Sequence, residues 1–307
     1  MSSLNKKPGF TKLPFRSAAK KFLTVMMAGL LVAVTVVACS SGSITAQSVA
    51  GDVTAQAPAA SSPGAAATGS TLDQIIAAGK VRVAVPQDSP PFGSTGTDMQ
   101  PQGYDIDVAK MIAEELKVKL ELVPVTSTNR VPYLQTNRVD MVISSLGATP
   151  ERAKSIYFSI PYAPFYSGIY GTTSVKVSSY KDLAGKTIGV TQGSLEDLEL
   201  TKRAPQGVEI KRFEDNSTTA SALLAGQVDG VAIGNTIAAK AIKDNPDKKI
   251  ENKFVMRNSP CHIGVRRGDL DLLQWVNVFV ASKRLSGDLN DLSTRWFEEP
   301  LGELPAF

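Results

Sequence analysis

Apolar positions fall at two spacings along this chain, and from about Thr71 onward the two alternate. Short β-branched runs predict strands: "VRVAV" (81–85), "VKLELVPV" (118–125), "VDMVIS" (139–144), "TIGV" (187–190), "VEIKRF" (208–213) and "VDGVAI" (228–233). Between them the spacing becomes helical. In "YDIDVAKMIAEEL" (104–116), Ile106, Ala109, Ile112, Ala113 and Leu116 share one face, and further helices are predicted over 131–136, 195–203, 217–225 and 236–243. The pattern opens with "TLDQIIAAGK", where Thr71 is a candidate N-cap, Gln74 follows three later, and Gly79 stands where the helix would stop. Strands alternating with helices predict an α/β fold of mostly parallel sheets flanked by helices.

The alternation also repeats. "LQTNRVDMVIS" (134–144) and "LLAGQVDGVAI" (223–233) share a helix end, a break and a Val-Asp strand. Two such units predict two lobes, which the length after residue 70 accommodates. "CHIGVRRGDLDLLQWVNVFV" adds a strand and a long helix that would return to the first lobe. The expected division is therefore 71–172 with 259–307 as lobe 1 and 173–258 as lobe 2. Two chain crossings make a hinge, and the cleft between the lobes is the expected ligand site.

The first 70 residues read differently. Residues 1–21 hold six basic and no acidic side chains, and 22–38 run apolar without a charge, the pattern of a signal peptide over 1–38. The run ends "VVAC" followed by "SSG", which resembles a bacterial lipobox and implies that Cys39 is lipidated and anchors the protein to a membrane. Valine three positions before the cysteine is a weaker match, and cleavage at Ala38 or Ala46 without a lipid is the alternative. The span 39–70, rich in Ala, Ser, Gly, Thr and Pro with Asp52 its only charge, reads as a flexible tether. Without the signal, 27 Lys+Arg face 29 Asp+Glu, so the formal charge falls from +4 to −2 and nothing argues for nucleic-acid binding. Cys261 then has no disulfide partner. A single histidine, His262, and no Gly-rich phosphate loop leave no cofactor and no metal site of ordinary composition to be expected.

One stretch resists a purely structural account. "SSLGATPERAK" (144–154) follows a buried strand with several hydrogen-bonding groups and puts Arg152 in the first turn of a helix, where the helix dipole disfavours a cation. Either Arg152 is an ordinary surface charge or something negative belongs beside it.

"VRVAVPQDSPPFG", "GYDIDVAKMIAEEL", "VPYLQTNRVDMVISSLGATPERA", "FSIPYAPF", "GKTIGVTQGS" and "CHIGVRRGDLDLL" come in the order found in bacterial solute-binding proteins for polar amino acids. The chain from about Thr71 to Trp296 resembles this group, the type II periplasmic binding proteins that feed ABC transporters. The resemblance implies an exported, monomeric binding protein, not an enzyme, that passes its ligand to an ABC permease. It implies that Arg152 pairs with the ligand's α-carboxylate, helped by Ser145 and its neighbours Ser144 and Gly147; a planar guanidinium fork suits that task. In relatives taking acidic amino acids, a Ser-x-Asn-Arg segment meets the side-chain carboxylate, which here points to Ser127 and Arg130. From the second lobe the resemblance implies Thr191, Ser194 and Asn216, the last readable also as the N-cap of 217–225. Phe92 matches an aromatic at the cleft rim.

The departures fall on the ammonium side. Gly234, then Asn235, stand where such proteins carry the aspartate that holds the ligand's amine, and Ser89 and Pro86 replace a stacking aromatic and an acid. Asn235 and Asp88 are the substitutes in reach. The amine is therefore either held differently or missing from the ligand. Cyclohexadienyl dehydratases also resemble this group, and Asp88 or Glu196 would then be candidate acids; a third reading is a ligand sensor that docks on a membrane receptor.

Overall fold

A computed structural model describes residues 69–306 of the chain. The expected signal segment, the lipidated Cys39 and the tether as far as residue 68 lie outside the described residues. Helix α1 (Thr71–Ala78) is capped by Ser70 rather than Thr71. The Ser70 hydroxyl accepts from the Asp73 N–H at 3.2 Å, and the Asp73 carboxylate accepts from the Ser70 N–H at 3.1 Å. A carboxylate is a stronger acceptor than the glutamine amide, so the capping box settles one residue earlier than expected.

The chain continues through β1 (Lys80–Pro86), the small antiparallel strands β2 (Asp88–Ser89), β3 (Gly93–Thr95) and β4 (Pro101–Gln102), α2 (Tyr104–Leu116), β5 (Lys119–Val125), α3 (Arg130–Gln135), β6 (Met141–Val142), α4 (Pro150–Ala153) and β7 (Ile156–Ala163). Then come β8 (Tyr166–Thr172), β9 (Thr187–Thr191), α5 (Leu195–Arg203), β10 (Glu209–Phe213), α6 (Asn216–Leu224), β11 (Gly230–Gly234), α7 (Asn235–Asp244) and β12 (Ile250–Asn258). β13 (Cys261–Arg266), α8 (Leu270–Leu285) and α9 (Asp288–Phe297) close the fold.

Apart from β2, β3 and β4, the strands form two five-stranded sheets, β5-β1-β6-β13-β7 and β10-β9-β11-β8-β12. Each sheet has three parallel strands, then a reversed strand (β13 or β8), then an edge strand antiparallel to it. The reversed strand is in each case the one that has just crossed from the other sheet. The first crossing therefore lies at Pro164–Phe165, not after Thr172 as the periodicity suggested, because β8 already pairs with β11 and β12. Proline cannot donate to a ladder, so the pairing breaks at Pro164. The second crossing lies at Ser259–Pro260. Strand β7 and edge strand β12 have no counterparts among the predicted strands; in "IENKFVMRN" only two of nine residues are buried, and the segment reads as polar.

On α2 the expected face is buried, with Ile106, Ala109 and Ile112 fully enclosed against Val83, Met141 and Ile263. In the second lobe Ile188, Val190 and Ala232 fill one side of the sheet, while Val231 and Ile233 fill the other. β6 keeps only two ladder residues of the expected six. Asp140 turns instead to Arg82, whose Nη2 donates to Oδ1 at 2.6 Å, and the chain leaves the sheet after Ile143 into the loop that carries Ser144–Gly147.

Candidate functional site

A pocket opens at the carboxyl ends of the parallel strands of both sheets, the usual ligand position in open α/β folds. The first lobe contributes Ser127, Arg130, Ser145 and Gly147, and the second Ser194, Leu195, Glu196, Asn216, Gly234 and Ile237; Phe165 and Ser259 line it from the two crossings. The lobes are closed on each other. Thr128 Oγ1 donates to the Gln192 carbonyl at 3.1 Å, and Arg257 Nη2 donates to the Ala148 carbonyl at 3.3 Å.

Arg130 lines this closed cleft, and Arg152, which is not among its lining residues, bridges the two lobes beside it. Arg130 is 5 % exposed; its Nη1 donates to the Ser144 carbonyl at 2.6 Å and its Nε has no partner. Burial lowers its pKa, against the opposing charges of Glu196 and Asp88. Arg152 Nη1 donates to the Gly147 carbonyl at 2.9 Å, and Nη2 reaches across to the Gly193 carbonyl at 3.1 Å. Burial pushes its pKa down to about 9, and the nearby charge of Arg130 adds to this. Both cations are thus satisfied only by neutral carbonyls, although each is held where its charge is disfavoured. The helix dipole contributes little to that strain, because α4 is a single turn capped by Thr149.

Asn216 and Asp88 meet, but across the lobes rather than around a shared opening. The Asp88 carboxylate accepts from the Asn216 N–H at 2.9 Å and from its Nδ2 at 3.1 Å, and Ser89 Oγ accepts from the same Nδ2 at 2.8 Å. Asn216 is the first residue of α6, and its N-cap is Asp215, not Asn216 itself. Thr191 lies beneath, 1 % exposed, donating to Asn216 Oδ1 at 2.9 Å. The N–H groups of Gly193 and Ser194 are taken by Asp197 Oδ2 and the Thr191 carbonyl. Ser194 Oγ caps α5 by accepting from Asp197 N–H.

Phe92 and Asn235 lie away from the cleft. Phe92 is fully buried among Tyr104, Phe165 and Phe297, where an aromatic gains more from core packing than at a rim. The Asn235 side-chain carbonyl accepts from the Tyr166 N–H at 3.1 Å, in a separate groove with Pro164 and Trp296. The space that a side chain at 234 would enter is filled from the hinge: a β-carbon on Gly234 would meet the Phe165 ring. Glu196, 6 % exposed, presents a buried Oε1 with no hydrogen-bond partner. Sequence reasoning did not place Phe165 in the site. Glu196 enters the sequence reading only as a candidate acid, although its position two residues after the helix-opening Ser194 is a usable signal.

Ser145 sits at a left-handed φ of +40°, and its N–H donates to Asp105 Oδ2 at 2.8 Å instead of pointing into the cleft. Asp105 Oδ1 accepts from the Tyr162 hydroxyl at 2.6 Å. Burial raises the Asp105 carboxyl to about 7, against these two bonds and the charge of Arg130, which lower it. The folded protein therefore keeps a proton that the unfolded chain releases near pH 4. The resulting stabilisation is full below about pH 4 and is lost as pH rises towards 7. Asp105→Asn is expected to remove this component. The difference between wild-type and variant unfolding free energies, from denaturant titrations at pH 4.5 to 7.5, should slope at up to about 1.4 kcal/mol per pH unit. Parallel curves would show that Asp105 does not titrate in this window.

His262 is buried beside Phe158, with its Nδ1 donating to the Ser159 carbonyl at 2.7 Å, so it supports β13 rather than facing the cleft. Among the described residues no three His, Cys, Asp or Glu side chains are grouped to hold a metal. Residues 81–299 match the profile of the bacterial extracellular solute-binding proteins, family 3. The chain belongs to that family. This solute-binding protein is 27 % identical over 230 residues to the L-cystine-binding protein TcyJ of Escherichia coli K12, covering 74 % of this chain and 85 % of the relative. It is 30 % identical over 236 residues to a glutamine-binding protein of Geobacillus stearothermophilus, covering 75 % and 87 %. Among solved structures it resembles an ancestral amino acid-binding protein described as a precursor of cyclohexadienyl dehydratase, with 32 % identity, a TM-score of 0.67, and 75 % of this chain and 100 % of that chain covered. All three descriptions are of binding proteins, and the two-lobed fold is common to the group.

Proposed function

We propose that this protein captures a small carboxylate-bearing solute, an amino acid or a close relative, in the cleft between its lobes and delivers it to an ABC permease. One observation carries the reading. Arg152 spans the closed cleft from Gly147 to Gly193 with only neutral carbonyls for partners, at a place where burial and Arg130 both disfavour its charge. A ligand carboxylate would match the planar fork and relieve that penalty. Ser127, Ser145, Ser194 and Ser259 are the hydroxyls that line the cleft, and Arg130, Glu196 and Asn216 complete the polar wall. Ser144 and Thr191 act from behind it, the first by holding Arg130 and the second by holding Asn216. Ligand binding would stabilise the closed arrangement over an open one.

The relatives named above as cystine-, glutamine- and amino acid-binding proteins favour an amino acid, and favour binding over the dehydratase reading. Export with a lipid on Cys39, holding a monomer at the outer face of the membrane, completes the proposal; the mass of the mature N-terminus tests the lipid. The ligand reading is tested by a thermal-shift screen of the exported protein, which keeps the Ser70 cap, against amino acids, hydroxy acids, dicarboxylates and prephenate-like acids. A true ligand at a hundred times its dissociation constant adds about 2.7 kcal/mol, a plainly visible shift. If no carboxylate shifts the melting temperature, the reading fails.

A further inference from the structure

We propose that Glu196 is the acceptor for a cationic amine on the bound solute, so that the cleft selects an amino acid of net charge zero; this rests on the reading of Arg152 as the carboxylate clamp. Glu196 is the second residue of α5, lines the cleft together with Arg130, and holds Oε1 buried and unpartnered. A carboxylate at a helix start is favoured by the dipole. Here, however, the cap is already complete without it: Ser194 Oγ accepts from the Asp197 N–H at 3.1 Å, and Asp197 Oδ2 accepts from the Gly193 N–H at 3.0 Å. The Glu196 oxygen is thus surplus to the local fold. Leaving a buried acceptor unmade is costly, and an ammonium donor would satisfy it.

Position matters as well. Arg152, from α4 of the first lobe, bonds the Gly193 carbonyl three residues before Glu196, so the cationic fork is tied to the turn of chain that carries the free carboxylate oxygen. An α-amino acid carries its carboxylate and ammonium on a single carbon and needs that adjacency. Gly234 offers no side chain, and Phe165 occupies the space where one would lie. Asp88 is already engaged by Asn216.

Charge balance narrows the class. Arg130 and Arg152 are opposed by Glu196 and Asp88, Arg257 is paired with Glu199 at 2.9 Å, and burial favours the neutral form of Asp105, a further carboxyl that acts on Arg130. A zwitterion keeps the site neutral. An amine-free acid adds one uncompensated negative charge and a dicarboxylate two, and such buried excess is disfavoured. Arg130 is then a partner of Glu196 in setting the field around the ligand, not a receptor for a second ligand carboxylate.

The test is isothermal titration of the wild-type exported protein and of Glu196→Gln at pH 7, using the twenty protein amino acids and, for each that binds, the 2-hydroxy acid of the same skeleton. The wild type is expected to prefer the amino acid by at least about 10-fold. Glu196→Gln should weaken the amino acid by about 10- to 100-fold and leave the hydroxy acid nearly unchanged, so that discrimination collapses. Glu196→Asp, which keeps the charge, should recover part of the preference. Equal weakening of both compounds, unchanged affinity for the amino acid, or binding of hydroxy acids alone overturns the proposal. Those results leave the carboxylate reading standing; that reading falls instead if Arg152→Ala binds as the wild type does.

Discussion

Arg152→Ala is expected to abolish ligand binding while leaving the protein folded. The guanidinium makes two bonds to carbonyls, at 2.9 Å and 3.1 Å, and sits where burial and Arg130 lower its pKa to about 9. Its charge is therefore a load on the folded state, not a support. With the sign followed through, a cation whose pKa is depressed by folding destabilises the fold at neutral pH, where the unfolded chain holds that charge at no cost. Removing it should leave the melting temperature unchanged or higher. Affinity is a different matter. A bidentate charge-assisted pair in a closed cleft is among the stronger single contacts available, and breaking one partner of a buried ion pair costs about 3–5 kcal/mol, or a loss of at least about 100-fold. Titration calorimetry beside a melting curve separates the two effects. Wild-type affinity in Arg152→Ala, or a melting temperature that collapses with binding, would assign Arg152 a structural role instead.

Gly234→Asp, which places an aspartate where amine-holding relatives carry one, is expected to damage this protein rather than improve it. A β-carbon at 234 would run into the Phe165 ring, and Phe165 is itself backed by Phe92 at 5.9 Å between ring centroids. Overpacking of this kind costs about 1–3 kcal/mol, and a carboxylate without a partner adds to it. A fall in melting temperature of roughly 5–10 °C follows for a domain of this size. Phe165→Ala removes the ring and loses its packing, yet in the double variant the aspartate gains room. The two changes should be non-additive, with a coupling of about 1–3 kcal/mol in a double-mutant cycle from denaturant unfolding. Simple additivity would mean that position 234 and Phe165 do not compete for one space.

Much of the architecture is legible in the periodicity because it follows from burial. A strand covered on both faces must be apolar throughout, and a helix against a sheet must repeat its apolar face, so β1, α2, β9 and β11 announce themselves. Strands β8 and β12 do not, and neither does β7, whose run is interrupted by Ser159 and Pro161. Strand β8 follows a proline that reads as a break within one lobe, and β12 is an edge strand with one sparsely buried face. Reversal of a strand after each crossing is a property of partner choice, which no local pattern encodes.

The site divides along the same line. From the sequence alone come the two-lobed class, Arg152 as the candidate carboxylate partner, and glycine at 234 where the resemblance expects an acid, because each is a residue type at a position in an ordered set of motifs. Tertiary structure alone decided the rest. It turned Asp88 onto the start of α6, drew Phe92 into the core, gave the Ser145 N–H to Asp105, and filled the space beside Gly234 with Phe165. The physical reason is common to all four. A polar group or ring takes whichever partner the closed fold brings within bonding distance, and those partners lie tens of residues away in sequence or on the opposite lobe.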